Sequence, residues 1–369
     1  MTPPRFGQPR RVVVKVGSSS LRGAGGDLDR AFVTRFVTQL ASLRRDGFEL
    51  VLVSSGAVAA GLAPLGMSQR PADLPRLQAA ASVGQGVLMH TYQACFASHD
   101  LVCGQVLLTP DDIVDRGRYL NARTTFETLI GLGAVPVVNE NDTVATDELR
   151  FGDNDRLAAL VASMLGAELL VLLSDVAGVL DGRPGAPGVQ VLGRVDDLGA
   201  VADLDSGGAS TLGSGGMGSK LEAVRIARFS AIHAVIAAAR RPDVVREVVT
   251  GAPVGTWFPP SDRRPDSRKL WIAFAAPPRG AVVVDAGAAQ ALVDRGSSLL
   301  PAGVVDATGD FTAGDAVDIV GADGRRLARG LVGYNRQDLL ELRGRSTRDL
   351  GAHRGRPRAV IHRDSLVLL

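Results

Sequence analysis

The chain has 369 residues, 46% hydrophobic and 22% charged, with a formal net charge of +2 from 41 basic and 39 acidic residues. That composition describes a globular protein with room for two or three domains, and it excludes disorder over most of the length. No uninterrupted apolar run reaches about 18 residues, and MTPPRFGQPRR leads straight into a short strand, so the expectation is a cytoplasmic protein without a membrane span.

In chain order, RRVVVKVGSSS reads as an apolar strand running into a Gly/Ser turn. A helix follows, with Phe32, Phe36, Leu40 and Leu43 at helical spacing and Gly47 as its stop. ELVLVSSGAVAAG is a second buried strand ending in a glycine turn, and a long helical region runs from about Leu74 to Ser98. LVCGQVLLT, AVPVVNEND, ELLVLLSDVAG and HAVIAAAR read as four more strands, separated by helical segments such as NARTTFETLIGLG and NDRLAALVASMLGA. Alternating apolar strands and helices predict a mainly parallel sheet covered on both faces, with ligands outside the carboxyl ends of its strands. The polar clusters fall there: Gly17 to Ser20, Ser54 to Ala57, Asn139 to Asp142, and Ser174 with Asp175.

Past residue 258 the texture changes. WFPPSDRRPDSRK has the composition of a linker, and beyond it short apolar strands broken by Gly and Asp turns suggest a small β-barrel with one or two helices. The division expected is residues 1–260, a linker over 261–278, and a second domain over 279–369. Between residues 341 and 364, Arg343, Arg345, Arg348, Arg354, Arg356, Arg358 and Arg363 stand against three acids. This is a solvated basic face or a surface for weak RNA contact.

Cys95 and Cys103 have no disulfide framework around them, and His90, His99, His233, His353 and His362 are too scattered for a histidine metal cluster. Lysine is the rare residue: only Lys15, Lys220 and Lys269 stand among 41 basic positions. A lysine in so arginine-rich a chain marks places where a compact ammonium is needed and a planar fork does not fit. Lys220 ends GSGGMGSK, which satisfies G-x-G-x-x-G and misses a P-loop by one position. Both of those motifs require a strand directly before the glycines, whereas here the chain reads VADLDSGGASTLG. What fits is a glycine loop opening a helix, with backbone N–H groups and an ammonium suited to phosphate. Asp153, Asn154 and Asp155 crowd the start of another helix, more capping residues than one cap requires, and the polar run NEND after its strand suits a zwitterion.

VVVKVGSS, VLVSSGAVAAG, LNARTTFETL, VPVVNENDTVAT, FGDNDRLAALVA, LLSDVAGVL, GSGGMGSKLEAV and GSSLLPAGV, taken in order from about residue 10 to 365, resemble the glutamate 5-kinase family. The resemblance implies a three-layer αβα sandwich with a mainly parallel sheet, the amino-acid-kinase fold, followed by a small PUA-like β-barrel domain. It also implies transfer of phosphate from ATP, accompanied by Mg²⁺, to the side-chain carboxylate of L-glutamate in proline biosynthesis. By the same resemblance Lys15 and Lys220 embrace the moving phosphoryl group and Asp155 orients them. Ser55, Asp142 and Asn154 match glutamate-binding positions. Lys15, Gly17, Ser174, Asp175, Ser214, Gly215, Gly216, Met217, Gly218, Ser219 and Lys220 match nucleotide contacts. No protein ligand for a metal is implied. Ser54, Ser174 and Ser219 stand where the family often has Thr, keeping the hydroxyl and losing a methyl. Family expectations are inhibition by proline, assembly as dimers or tetramers, and hand-over of product to a glutamyl phosphate reductase. The alternatives are a kinase of the same superfamily acting on aspartate, acetylglutamate or a nucleotide, and an RNA-binding protein whose kinase domain is vestigial.

Overall fold

The computed structural model describes residues 7, 9–23, 26–144, 154–183, 186–202, 216–261, 267–275, 278–345 and 359–368. Two compact units divide the chain, Met1–Arg264 and Pro265–Leu369. In the first, strands β1 (Arg11–Val16), β2 (Glu49–Ser54), β3 (Cys103–Leu108), β4 (Val135–Glu140), β5 (Leu169–Ser174), β6 (His233–Ala238) and β7 (Thr256–Phe258) form one sheet in the order β3-β4-β2-β1-β5-β6-β7. Every pairing is parallel except that of β6 with β7. Short β7, only three residues long, carries too little pattern to be read from sequence. β2 and β5, inside the sheet, read as near-continuous Val/Leu runs because both of their faces are covered.

The covering helices in chain order are α1 (Ser18–Leu21), α2 (Arg30–Arg45), α3 (Ala57–Leu62), α4 (Leu74–Ala97), α5 (Pro110–Val114), α6 (Arg116–Gly131), α7 (Asn154–Leu165), α8 (Gly199–Ala202), α9 (Met217–Phe229) and α10 (Val244–Val249). Val12, Val14 and Val16 pack with Phe32, Phe36 and Leu40 of α2, with Leu88, Tyr92 and Phe96 of α4, and with the valines of α10. Side chains alternate across a strand, so Val13 and Lys15 point to the other face, where α7 and α9 lie. Lys15 is thus carried on the central strand toward α7 while its neighbours anchor that strand. Each fully buried valine contributes about 1.5–3 kcal/mol.

The second unit holds a five-stranded sheet of β8 (Gly280–Val284), β9 (Val304–Gly309), β10 (Ala316–Gly321), β11 (Arg326–Leu331) and β12 (Leu366–Leu368), in the order β12-β11-β10-β8-β9. Val282, Val284, Phe311, Val317, Ile319 and Ala328 form its core with Leu292 of helix α12 (Ala286–Arg295) and Leu339 of α13 (Arg336–Leu342). Part of the linker-like stretch is built into this unit. α11 (Ser267–Leu270) and a π-helical turn over Trp271–Ala275 bury Ile272, Ala273 and Phe274. Arg329 Nη1 donates to the Ala273 carbonyl at 3.1 Å. Composition suggests a linker because prolines and charges precede it, but the apolar WIAFA that follows seeks burial. Lys269, the third lysine, belongs to α11 and to this second unit.

Candidate active site

At the carboxyl edge of the first sheet, two distant lysines meet one aspartate. Asp155, fully buried near the start of α7, takes Lys15 Nζ at 2.6 Å on Oδ1 and Lys220 Nζ at 3.1 Å on Oδ2. Lys15 comes from β1 and Lys220 from the first turn and a half of α9; both are buried as well. Two ammonium groups converge on this one carboxylate out of water, where their field is poorly screened. Ser219 Oγ donates to the Gly216 carbonyl at 2.8 Å and lies 3.3 Å from Asp155 Oδ2. Gly216, Met217, Gly218 and Ser219 are all partly or fully exposed at the start of α9. The positive end of a helix there suits an anion.

Gly17 follows β1 and leads into Ser18–Leu21, with Lys15 Nζ only 3.7 Å from where a Cβ on Gly17 would stand. Across the ladder, Val16 pairs with Leu173, so Ser174 and Asp175 emerge beside Gly17. Ser174 Oγ donates to Asp175 Oδ1 at 2.9 Å, and Asp175 is exposed. Asp153 of the capping cluster, Ser214 and Gly215 of the glycine loop, and Arg348, Arg354, Arg356 and Arg358 of the basic stretch lie outside the described residues.

On the β2–β4 side a string of neutral side chains carries the hydrogen bonding. The two N–H groups of Asn154 Nδ2 serve three acceptors, Ser55 Oγ at 2.9 Å, the Ser54 carbonyl at 3.0 Å and Asn139 Oδ1 at 2.9 Å. Asp142 is half-buried in the turn that follows β4. Ser55 can turn toward Asn154 because Gly56 behind it takes φ +96°, a left-handed conformation that residues with a Cβ rarely adopt. Ser54 Oγ donates to the Ser55 carbonyl at 3.1 Å and shares a hydrogen bond of 2.9 Å with the Tyr92 hydroxyl. Burial pushes the Tyr92 phenol above its ordinary range.

Three of these residues carry no sequence signal as strong as the lysines. Asn139 sits in the NEND run but is buried in β4, which continues through Glu140 before the turn begins. Tyr92 reads as ordinary core on an amphipathic helix. Gln85 accepts from Asn139 Nδ2 at 2.8 Å. Its flanking glycines, Gly84 and Gly86, are the one available hint. A glycine in mid-helix costs about 1 kcal/mol relative to alanine, so it asks for a packing reason. Gly84 has one: a Cβ there would stand 1.8 Å from the Ala57 carbonyl oxygen.

Among the described residues no group of three or more His, Cys, Asp or Glu side chains is placed to hold a metal ion. No helix of the described residues is long and apolar enough to cross a membrane.

The model of the amino acid kinase family matches residues 10–238, and that of the PUA domain matches residues 280–353. A glutamate 5-kinase of Streptomyces coelicolor is 51% identical over 367 residues, covering 98% of this chain and 97% of that protein. A glutamate 5-kinase of Salinispora arenicola is 53% identical over 364 residues, covering 98% of both. Among solved structures, carbamate kinase from Giardia lamblia bound to AMP-PNP is 18% identical, with a TM-score of 0.50 over 68% of this chain and 99% of that one, a likeness of fold alone.

Proposed function

This chain belongs to the glutamate 5-kinases of the amino acid kinase family, and on that premise we propose that it phosphorylates the side-chain carboxylate of L-glutamate with ATP. The product is L-glutamyl 5-phosphate, and the reaction opens proline biosynthesis. The observation that carries the reading is the meeting of Lys15 and Lys220 on Asp155.

The acceptor carboxylate, with an ordinary pKa of about 4.3, is already ionised at neutral pH and needs no general base. One of its oxygens attacks the γ-phosphorus of ATP while the bond to the β–γ bridging oxygen breaks, and ADP leaves with that electron pair. The difficulty is to hold two anions in line and to neutralise charge as the phosphoryl group moves. Lys15 and Lys220 supply that charge from fixed positions, with Asp155 setting their separation and keeping both ammonium groups turned inward. Ser55, Asp142 and Asn154 receive the amino acid; Gly17, Ser174, Asp175 and the Gly216–Lys220 turn receive the nucleotide.

Mg²⁺ would accompany ATP as part of the MgATP substrate and neutralise phosphate charge. Glutamyl phosphate is an acyl phosphate open to hydrolysis, so the same reading has it passed to a reductase in the cytoplasm. It also has the chain assemble as a dimer or tetramer, which light scattering on the eluted protein measures.

The test is ATP consumption with L-glutamate as sole acceptor and hydroxylamine present. Hydroxamate forming in step with ADP is the expected result. A folded chain that makes no hydroxamate from glutamate, or makes it faster from aspartate or N-acetylglutamate, overturns the assignment.

A further inference from the structure

The amide string of the β2–β4 side has a direction, and backbone groups set it. The Glu140 N–H, which can only donate, reaches Asn139 Oδ1 at 2.9 Å. Asn139 must therefore turn Nδ2 away, toward Gln85 Oε1 at 2.8 Å. At the other end the Ser54 carbonyl, which can only accept, takes Asn154 Nδ2. Neither asparagine can be flipped without setting like against like. Two groups are left over. Gln85 is half-buried, and its Nε2 meets no acceptor among the described residues. Asn154 Oδ1 is buried and meets no donor among them.

A spare donor at one end and a spare acceptor at the other suit a ligand carrying both an anionic and a cationic group, as the backbone end of a free amino acid does. Packing holds Gln85 in place for this. Gly84 meets the Ala57 carbonyl, and a Cβ on Gly61 would stand 1.9 Å from the Ala80 carbonyl oxygen. α3 and α4 therefore touch backbone to backbone, which draws this turn of α4 toward the turn that carries Ser55.

We propose that Gln85 is a specificity-determining residue that donates from Nε2 to the α-carboxylate of the amino-acid substrate. The inference rests on L-glutamate being that substrate. With Oε1 given to Asn139, Nε2 is the end of Gln85 that faces a ligand. A neutral amide holds a carboxylate there without placing a third cation beside the two lysines that serve the phosphoryl group.

Gln85→Glu keeps the size and still accepts from Asn139 Nδ2, while a carboxylate oxygen that repels the ligand's α-carboxylate replaces the outward donor; neutral Gln85→Met removes the donor without adding charge. It is expected to raise KM for L-glutamate about tenfold or more and to leave KM for ATP within about twofold. The deciding number is a ratio: KM for glutamate over the inhibition constant of isoglutamine, whose α-carboxylate is replaced by an uncharged carboxamide. The variant should shift that ratio against glutamate by about tenfold. Equal weakening of the two ligands would mean that Gln85 acts only through Asn139, and it would overturn the contact, as would an unchanged KM. Gln85→Met supplies the same ratio should the glutamate variant fail to fold. A wild-type chain inert toward glutamate would instead remove the substrate reading, and this inference with it.

Discussion

The two sides of the site are built from different interactions. Around β1, α7 and α9 everything is ionic: Lys15, Asp155 and Lys220 lie buried within 3.1 Å of one another's charged atoms along two ion pairs. Around β2, β4 and α4 a neutral string runs beside Asp142: Ser54, Ser55, Tyr92, Asn139, Asn154 and Gln85 share hydrogen bonds without a formal charge among these six. On the proposed function the contrast amounts to a division of labour. Fixed charge stabilises charge that develops in a transition state, whereas neutral amides with one direction of donation read the shape of a ground-state ligand. Cutting the ionic side should lower kcat, and cutting the amide side should raise KM for glutamate.

The largest effect is expected from Asp155→Asn. The isostere keeps the space but removes the carboxylate on which both buried ammonium groups converge. kcat should fall on the order of 10³-fold, and stability should fall by about 3–5 kcal/mol in denaturant titration, as when one member of a buried ion pair is removed. Lys220→Arg comes next, with kcat down about 10²-fold and KM for glutamate within about threefold, because a forked guanidinium cannot take the place of a point charge at the moving group. Wild-type turnover in this variant would remove Lys220 from the mechanism. Asn139→Ala should do the reverse, raising KM for glutamate about tenfold and lowering kcat less. A fall in kcat with KM unchanged would erase the distinction between the two sides.

The smallest effect lies at the amino ends of the strands, away from both sides. There Arg11 Nη1 and Nη2 donate to Glu127 at 2.7 and 2.9 Å, and this hydrogen bonding, set against partial burial, holds the Glu127 carboxyl below its ordinary value of 4.5. A depressed carboxylate stabilises the fold above its unfolded pKa and loses that contribution as pH falls through its folded pKa. The Glu127 side chain is 39% exposed, so solvent screening keeps the loss in Glu127→Gln under about 1 kcal/mol at pH 7. The gap between variant and wild type should close below pH 4.5, with kcat unchanged throughout.

Much of this is legible in the chain. Apolar runs mark the long strands of the first sheet, and the scarcity of lysine singles out Lys15 and Lys220 along with Lys269. Asn154 and Asp155 stand out as capping residues in excess of a cap. Gln85 and Tyr92 do not stand out, because periodicity assigns a helical residue to a face without saying what the facing element carries. β7 is too short to show a period, and the WIAFA turn is hidden behind the prolines that precede it.

The amino-acid sequence alone determined the local elements, the glycines that let the chain turn from strand to helix, and the residue types present at the strand ends. Those features follow from short-range sterics and from the burial of apolar side chains, which act over a few neighbouring residues. Only the tertiary structure decided that β1, α7 and α9 bring two ammonium groups to one carboxylate, and that Gly84 against Ala57 sets Gln85 within reach of Asn139. A hydrogen bond changes strength within a few tenths of an ångström, and separations that fine are set by how whole elements pack.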